Sequence, residues 1–171
     1  MRFSHSLLVL LLLLVSCAST PPVVKRGQVP IGSELAVIPF RDCLISGQED
    51  CDGSGNTAGN IFAQVFSAST KFQAVPLSRP VAPKETLTDD AAVALAKIKG
   101  FKYVINGEVD DYYDVAPMTF RVDRAGISVR ILRVEDGHIT AFFSQRKDGI
   151  TNFDNPNNII KKMAEHVRDS L

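Results

Sequence analysis

The chain has 171 residues, with 19 basic and 19 acidic side chains, and 45% of its residues are hydrophobic. This length and apolar content fit one globular domain with a substantial core. Balanced charge without a Lys/Arg run argues against nucleic acid, or an electrostatically bound membrane surface, as the main partner. After residue 17, no stretch is apolar and long enough to span a bilayer, which takes about 20 residues.

The N-terminus has the layout of a secretory signal. Arg2 supplies positive charge, residues 7–15 are continuously apolar, and Ser16-Cys17 follows. An apolar run of nine residues is too short to cross a membrane as a helix. The tetrad Leu14-Val15-Ser16-Cys17 resembles the lipobox of bacterial lipoproteins, which implies lipidation of Cys17 and cleavage before it. The alternative is an ordinary signal peptide that happens to end in a cysteine.

Three segments are predicted along the chain: a signal peptide over 1–16, a lipidated N-terminus with a flexible tether over 17–33, and a single α/β domain over 34–171. The tether prediction rests on a mixture of Pro, Gly and small polar residues without periodicity. Residue 18 is Ala and not the Asp that keeps enterobacterial lipoproteins in the inner membrane. The lipobox resemblance therefore implies an outer-membrane anchor, with the domain facing the periplasm.

The first half of the domain is predicted to alternate strands and helices. Residues 35–38 form a continuous apolar run closed by Pro39, as in a buried parallel strand. A second short strand is predicted over 72–77. Between them a helix is predicted from about residue 57, because apolar side chains recur at spacings of three and four, at Ile61, Phe62, Val65 and Phe66.

The second half is predicted to end in a strand meander and a helix. Thr88 caps a helix that stops at Gly100, and a third strand over 101–109 follows. Long strands over 119–134 and 139–147 meet at an Asp-Gly hairpin, and Asn155-Pro156 opens the last helix. The order βαβαβββα predicts a three-layer α/β sandwich. Its mixed five-stranded sheet has the order 2-1-3-4-5, with helices on both faces.

Three segments carry a family resemblance: 35–40 (LAVIPF), 96–109 (AKIKGFKYVINGEV) and 127–137 (ISVRILRVEDG). They resemble envelope lipoproteins, namely the curli-secretion lipoprotein, the Pel polysaccharide-export lipoprotein and outer-membrane activators of peptidoglycan synthases. These share an anticodon-binding-like α/β sandwich. The resemblance implies a non-catalytic binding or assembly accessory in polysaccharide export, peptidoglycan synthesis or appendage biogenesis. It implies an unidentified envelope protein partner and is compatible with a homo-oligomer.

Once Cys17 is acylated, Cys43 and Cys51 remain as an even pair, which predicts a disulfide in an oxidising compartment. A zinc site would need His138 and His166, and neither has metal-ligand spacing to another residue. Residues 50–55 mimic the start of a calcium loop, but the bidentate Glu at its twelfth position is missing. The sequence therefore predicts no metal and no cofactor.

Residues 110–118 are predicted to form a long loop after the third strand. Tyr112, Tyr113 and Met118 are the predicted partner-binding residues, because exposed aromatic and Met side chains often anchor protein partners. The alternative is a small periplasmic enzyme or ligand-binding lipoprotein that uses this acidic, Tyr-rich loop. No Ser or Cys lies in a nucleophile motif, so no enzyme is predicted. Glu108, inside an apolar strand, is expected to pair with Arg130 or Arg133.

Overall fold

The computed structural model describes residues 21–46, 48–115, 122–149 and 154–171. Cys17 and Met118 lie outside these ranges. Within them, no helix is both long and apolar enough to cross a membrane.

The described elements alternate before ending in a meander and a helix. The helices are α1 (Ser54–Ser67), α2 (Asp89–Ile98) and α3 (Pro156–Ser170), with a short 3₁₀ turn at Glu49–Cys51. The strands are β1 (Val24–Lys25), β2 (Glu34–Val37), β3 (Gln73–Pro76), β4 (Tyr103–Tyr113), β5 (Arg124–Arg133) and β6 (Ile139–Asp148).

The described strands form one mixed sheet in the order β1-β6-β5-β4-β2-β3. Strand β2 pairs in parallel with β3 and β4, whereas β4, β5 and β6 form an antiparallel meander. The mixed α/β prediction is confirmed. The prediction of five strands is corrected to six in the described part of the chain: β3, β2, β4, β5 and β6 lie in the predicted order, and β1 is added beside β6.

Strand β1 comes from the segment that was predicted to be a flexible tether. It pairs antiparallel with β6, and the N–H of Arg26 donates to the carbonyl of Thr140 at 2.8 Å. Val29 is buried. The prediction of a flexible tether over 17–33 is therefore corrected for residues 24–27, which are bound to the sheet edge. A two-residue strand has too few positions to produce an alternating pattern, so composition alone indicated a loop.

Helices cover both faces of the sheet, as predicted. Helices α1 and α3 pack over one face with Phe62, Phe66, Ile160 and Met163 among the buried residues. Helix α2 covers part of the other face, in a smaller cluster that includes Ala92, Ala96, Ala36, Ile38, Val104 and Leu132. The predicted caps are present: Thr88 and Asn155 accept hydrogen bonds from backbone N–H groups of α2 and α3.

The start of α1 is held by a disulfide and a buried carboxylate. Cys43 and Cys51 are joined, with their Cα atoms 5.1 Å apart. The two carboxylate oxygens of Asp42 accept hydrogen bonds from the N–H groups of Gly53 and Gly55, at 2.8 and 2.7 Å. Asp42 thus satisfies backbone donors that a helix N-terminus leaves unpaired.

Candidate functional site

The candidate site is the part of the sheet that α2 leaves uncovered among the described residues. Antiparallel register brings alternate residues of β4, β5 and β6 to one side of the sheet. We call this surface the open face, and it consists of Glu108, Asp110, Asp111, Tyr113, Arg124, Ser128, Arg130, Ser144 and Arg146.

Asp111 is the buried centre of the open face. A β-bulge between Val109 and Asp111 changes the register of β4 there, as bulges near functional surfaces often do. The side chain of Asp111 is 1% exposed, with its Oδ2 3.0 Å from Arg124 Nε and 2.8 Å from Arg146 Nε. Opposite it stands Gly126, where a Cβ would lie 3.3 Å from Asp111 Cβ. The missing side chain makes room for the carboxylate, and the two guanidinium groups compensate its charge.

A row of hydroxyl groups adjoins this ion cluster. Ser128 donates to Asp110 Oδ2 at 2.7 Å, and its Oγ lies 2.9 Å from Ser144 Oγ. Burial raises the pKa of Asp110, an effect that the hydrogen bond from Ser128 opposes. The two described histidines lie elsewhere: His138 is in a turn beside Asp136, and His166 contacts Phe143 on α3's side of the sheet. No imidazole base is therefore placed beside these serines.

Glu108 links the open face to the region before α1. Its Oε2 lies 2.5 Å from Arg41 Nη2, and its Oε1 lies 3.5 Å from Arg130 Nη1. The expected pairing with Arg130 is confirmed. Arg133 instead pairs with Asp136, and hydrogen bonding from Arg133 lowers the pKa of Asp136 to about 2. Arg41 was not expected, because only a long-range bridge between the two backbones brings it beside Glu108.

The segment predicted to be a loop over 110–118 is strand as far as Tyr113, which corrects that prediction. Tyr112 packs against the helix-covered core, and its hydroxyl donates to Asn157 Oδ1 at 2.7 Å. Tyr113 lies on the other side of β4, where the Arg124 guanidinium is 5.2 Å from the ring centre. Of the three predicted partner-binding residues, only Tyr113 belongs to the open face. Met118 lies outside the described residues.

The chain around the end of β4 is acidic. The pKa of Asp114 is raised by partial burial and by the nearby charges of Asp123 and Asp50. Asp123 in turn accepts a hydrogen bond from the N–H of Val115 at 2.6 Å. Even so, no group of three His, Cys, Asp or Glu in the described ranges could hold a metal ion.

The open face is a surface of paired charges. Five cavities of ≈ 400 to ≈ 570 Å³ lie elsewhere on the domain, and the residues that line them do not include 110–115. A ligand-binding pocket beside the acidic segment, which the enzyme alternative requires, is not among these five.

No protein-family model matches the sequence, and no curated protein matches it. The fold is similar to that of a point variant of the PelC dodecamer from Paraburkholderia phytofirmans, with a TM-score of 0.64, 14% identity, and coverage of 85% of this chain and 93% of that one. Lipoprotein GNA1162 from Neisseria meningitidis gives a TM-score of 0.50 at 14% identity, covering 80% of this chain and 96% of that one. The LpoB C-terminal domain from Salmonella enterica gives 0.42 at 16% identity, with coverage of 72% and 86%.

These likenesses concern the fold. The first two confirm that the fold is similar to that of PelC and of a neisserial lipoprotein, in agreement with the resemblance that the sequence motifs indicated. They leave function to be argued separately.

Proposed function

We propose that this chain is an outer-membrane-anchored lipoprotein that acts as a non-catalytic binding and assembly accessory in the cell envelope. The observation that carries the proposal is the alignment of 85% of the chain with the protomer of a dodecamer, at a TM-score of 0.64. Because PelC, which has a similar fold, is a dodecamer, we infer an assembly role for this chain and propose that it forms a homo-oligomer. Polysaccharide export, peptidoglycan synthesis and appendage biogenesis are the candidate processes.

The open face is the proposed contact surface for a protein partner. Its charges are largely paired within the chain, while the side chain of Arg146 remains 61% exposed. Such surfaces offer hydrogen-bond donors and acceptors in fixed positions, and complementary charges favour specificity and fast association. Tyr113 adds an aromatic ring of the kind that is enriched at binding hot spots. We therefore propose that Tyr113 and its neighbours on the open face bind the partner, and that Met118 contributes to the same contact. Tyr112 would hold β4 in place without contacting the partner.

In-cell photocrosslinking tests this proposal. A photoreactive amino acid is placed at position 113 and, as a matched control, at position 161 on the exposed side of α3. We expect a crosslinked envelope protein, or a second copy of this chain, from position 113 and none from position 161. Arg146→Ala should weaken the crosslink from 113 because it removes an exposed cation of the same face. Capture from 161 alone, or equal capture from both positions, would place the interface elsewhere.

A further inference from the structure

Two isoleucines at one end of the domain are the most exposed large apolar side chains in the described ranges: Ile98 is 81% exposed and Ile31 is 78% exposed. Ile31 lines a cavity of ≈ 570 Å³ together with residues 100–103. Ile98 is the last residue of α2 and precedes Gly100, the first of these lining residues, by two positions in the sequence. We call this end of the domain, where β2 and β4 begin, the base.

The base is also rich in cations. A second cavity of ≈ 400 Å³ shares Phe101 and Lys102 with the first and extends to Arg133. A third, also ≈ 400 Å³, shares Arg133 and extends to Arg26 and His138. Other cations of this end are Lys25, Lys71, Lys97 and Lys99, and its carboxylates include Glu34, Glu135 and Asp136. Asp169 lies near Lys71 and is paired with Arg168. The Asp136 carboxylate is paired with Arg133, so positive charge predominates.

The N-terminal segment is bound along the outer edge of the sheet, where His166 contacts Phe143 in the middle of β6. The carbonyl of Pro21 lies 3.2 Å from His166 Nε2, in the last turns of α3. Strand β1 then runs along β6 toward the base, where Arg26 and Gly27 donate to Thr140. Cys17 precedes Pro21 by four residues, which span at most about 14 Å when fully extended. A lipid on Cys17 would therefore hold the domain close to the membrane.

We propose that the base is the membrane-facing surface of the anchored protein, with Ile31 and Ile98 in the headgroup region and the surrounding lysines against anionic phospholipid headgroups. This inference rests on the proposed anchoring at Cys17. Exposed apolar side chains gain by leaving water at the interface, and Lys and Arg are attracted by anionic lipid. At the opposite end Asp50, Asp114, Asp123 and Asp148 lie with Arg124, Arg146 and Lys147, so that end has no excess of positive charge to attract the same lipid.

Fluorescence quenching of the lipidated mature protein tests the orientation. With the Cys43–Cys51 disulfide intact, an environment-sensitive fluorophore is attached at Ile31→Cys, at Ile98→Cys or, as a control at the far end of β6, at Asp148→Cys. Each protein is reconstituted in vesicles of phosphatidylethanolamine and phosphatidylglycerol that contain a lipid-borne quencher. We expect loss of most of the fluorescence at positions 31 and 98 and little loss at 148.

The contribution of charge has its own control. Lys97→Gln with Lys99→Gln should reduce quenching at position 98 in vesicles containing phosphatidylglycerol and not in phosphatidylcholine vesicles. Lys161→Gln with Lys162→Gln, on α3, is the control and should leave quenching at position 98 unchanged in both kinds of vesicle. Quenching at 148 equal to that at 98, or no quenching at any position while mass spectrometry shows lipid on Cys17, overturns the orientation alone. Absence of lipid on Cys17 overturns the anchor and the orientation with it.

Discussion

Tyr112 and Tyr113 are neighbours in the sequence, and they do different things in the fold. Successive side chains of a strand point to opposite faces of the sheet. One tyrosine therefore supports the junction between β4 and the start of α3, through its hydrogen bond to Asn157. The other lies with Arg124 on the open face. At the scale of single residues, a motif that looks like one aromatic patch is divided between packing and surface.

This division predicts unequal effects of alanine substitution. Tyr112→Ala should lower the free energy of unfolding by about 2 kcal/mol, because it removes a half-buried ring that packs against the core. Tyr113→Ala should cost less than about 1 kcal/mol, as surface substitutions usually do. Urea unfolding of the two variants, followed by circular dichroism, measures the difference. Equal losses would mean that Tyr113 is also a packing residue and would weaken its assignment to a binding surface.

At the scale of elements, close backbone contact between α1 and the segment after β2 decides which substitutions the fold tolerates. A Cβ on Gly55 would lie 2.0 Å from the carbonyl oxygen of Phe40, and one on Gly59 would lie 2.8 Å from Pro39 Cα. Both obstructions are backbone atoms, which cannot move aside as a flexible side chain can. These two glycines allow α1 to approach the sheet.

Gly55→Ala should therefore prevent α1 from docking and reduce the free energy of unfolding by more than about 3 kcal/mol, as severe overpacking does. Gly32→Ala is the matched control. Gly32 has a φ of +84° and no atom within 4 Å of the position of a Cβ, so only backbone strain of about 1 kcal/mol opposes it. Thermal unfolding of the two variants compares them. A Gly55→Ala protein that melts with the control would show that the α1 contact is looser than described.

The sequence predicted those elements whose signals are local. The caps Thr88 and Asn155, the apolar face of α1 and the Asp-Gly turn are each determined by residues within one turn of one another. The elements that the sequence does not predict depend on contacts between residues far apart in the chain. Strand β1 exists because β6 offers it an edge, and β4 continues through Asp110 and Asp111 because arginines and a serine from β5 and β6 accommodate their carboxylates. Aspartates are uncommon in strands, so an acidic run indicated a loop.

At the scale of the whole molecule, charge is balanced in number and separated in space. The lysines of the base come from β1, the loop before β3, the end of α2 and the start of β4, so no run of basic residues marks them in the sequence. Composition argued against an electrostatic contact with a membrane as the main interaction. The proposed contact of the base with the membrane is a secondary interaction, which orients the protein that the proposed lipid on Cys17 anchors.

The anchor itself gives the last prediction. Cys17→Ala should abolish labelling by palmitate, remove the protein from the outer-membrane fraction and leave residues 1–16 attached, because the lipobox resemblance implies that cleavage follows lipidation. Ser16→Ala is the matched control, since alanine is also small and should preserve both lipidation and cleavage. Metabolic labelling, membrane fractionation and intact mass measure the three effects. Because two or three acyl chains bind a bilayer essentially irreversibly whereas one binds marginally, the unmodified domain should not stay in the outer membrane through its base alone. Palmitate label on the Cys17→Ala protein, or its persistence in the outer-membrane fraction after a salt wash, would contradict the anchor.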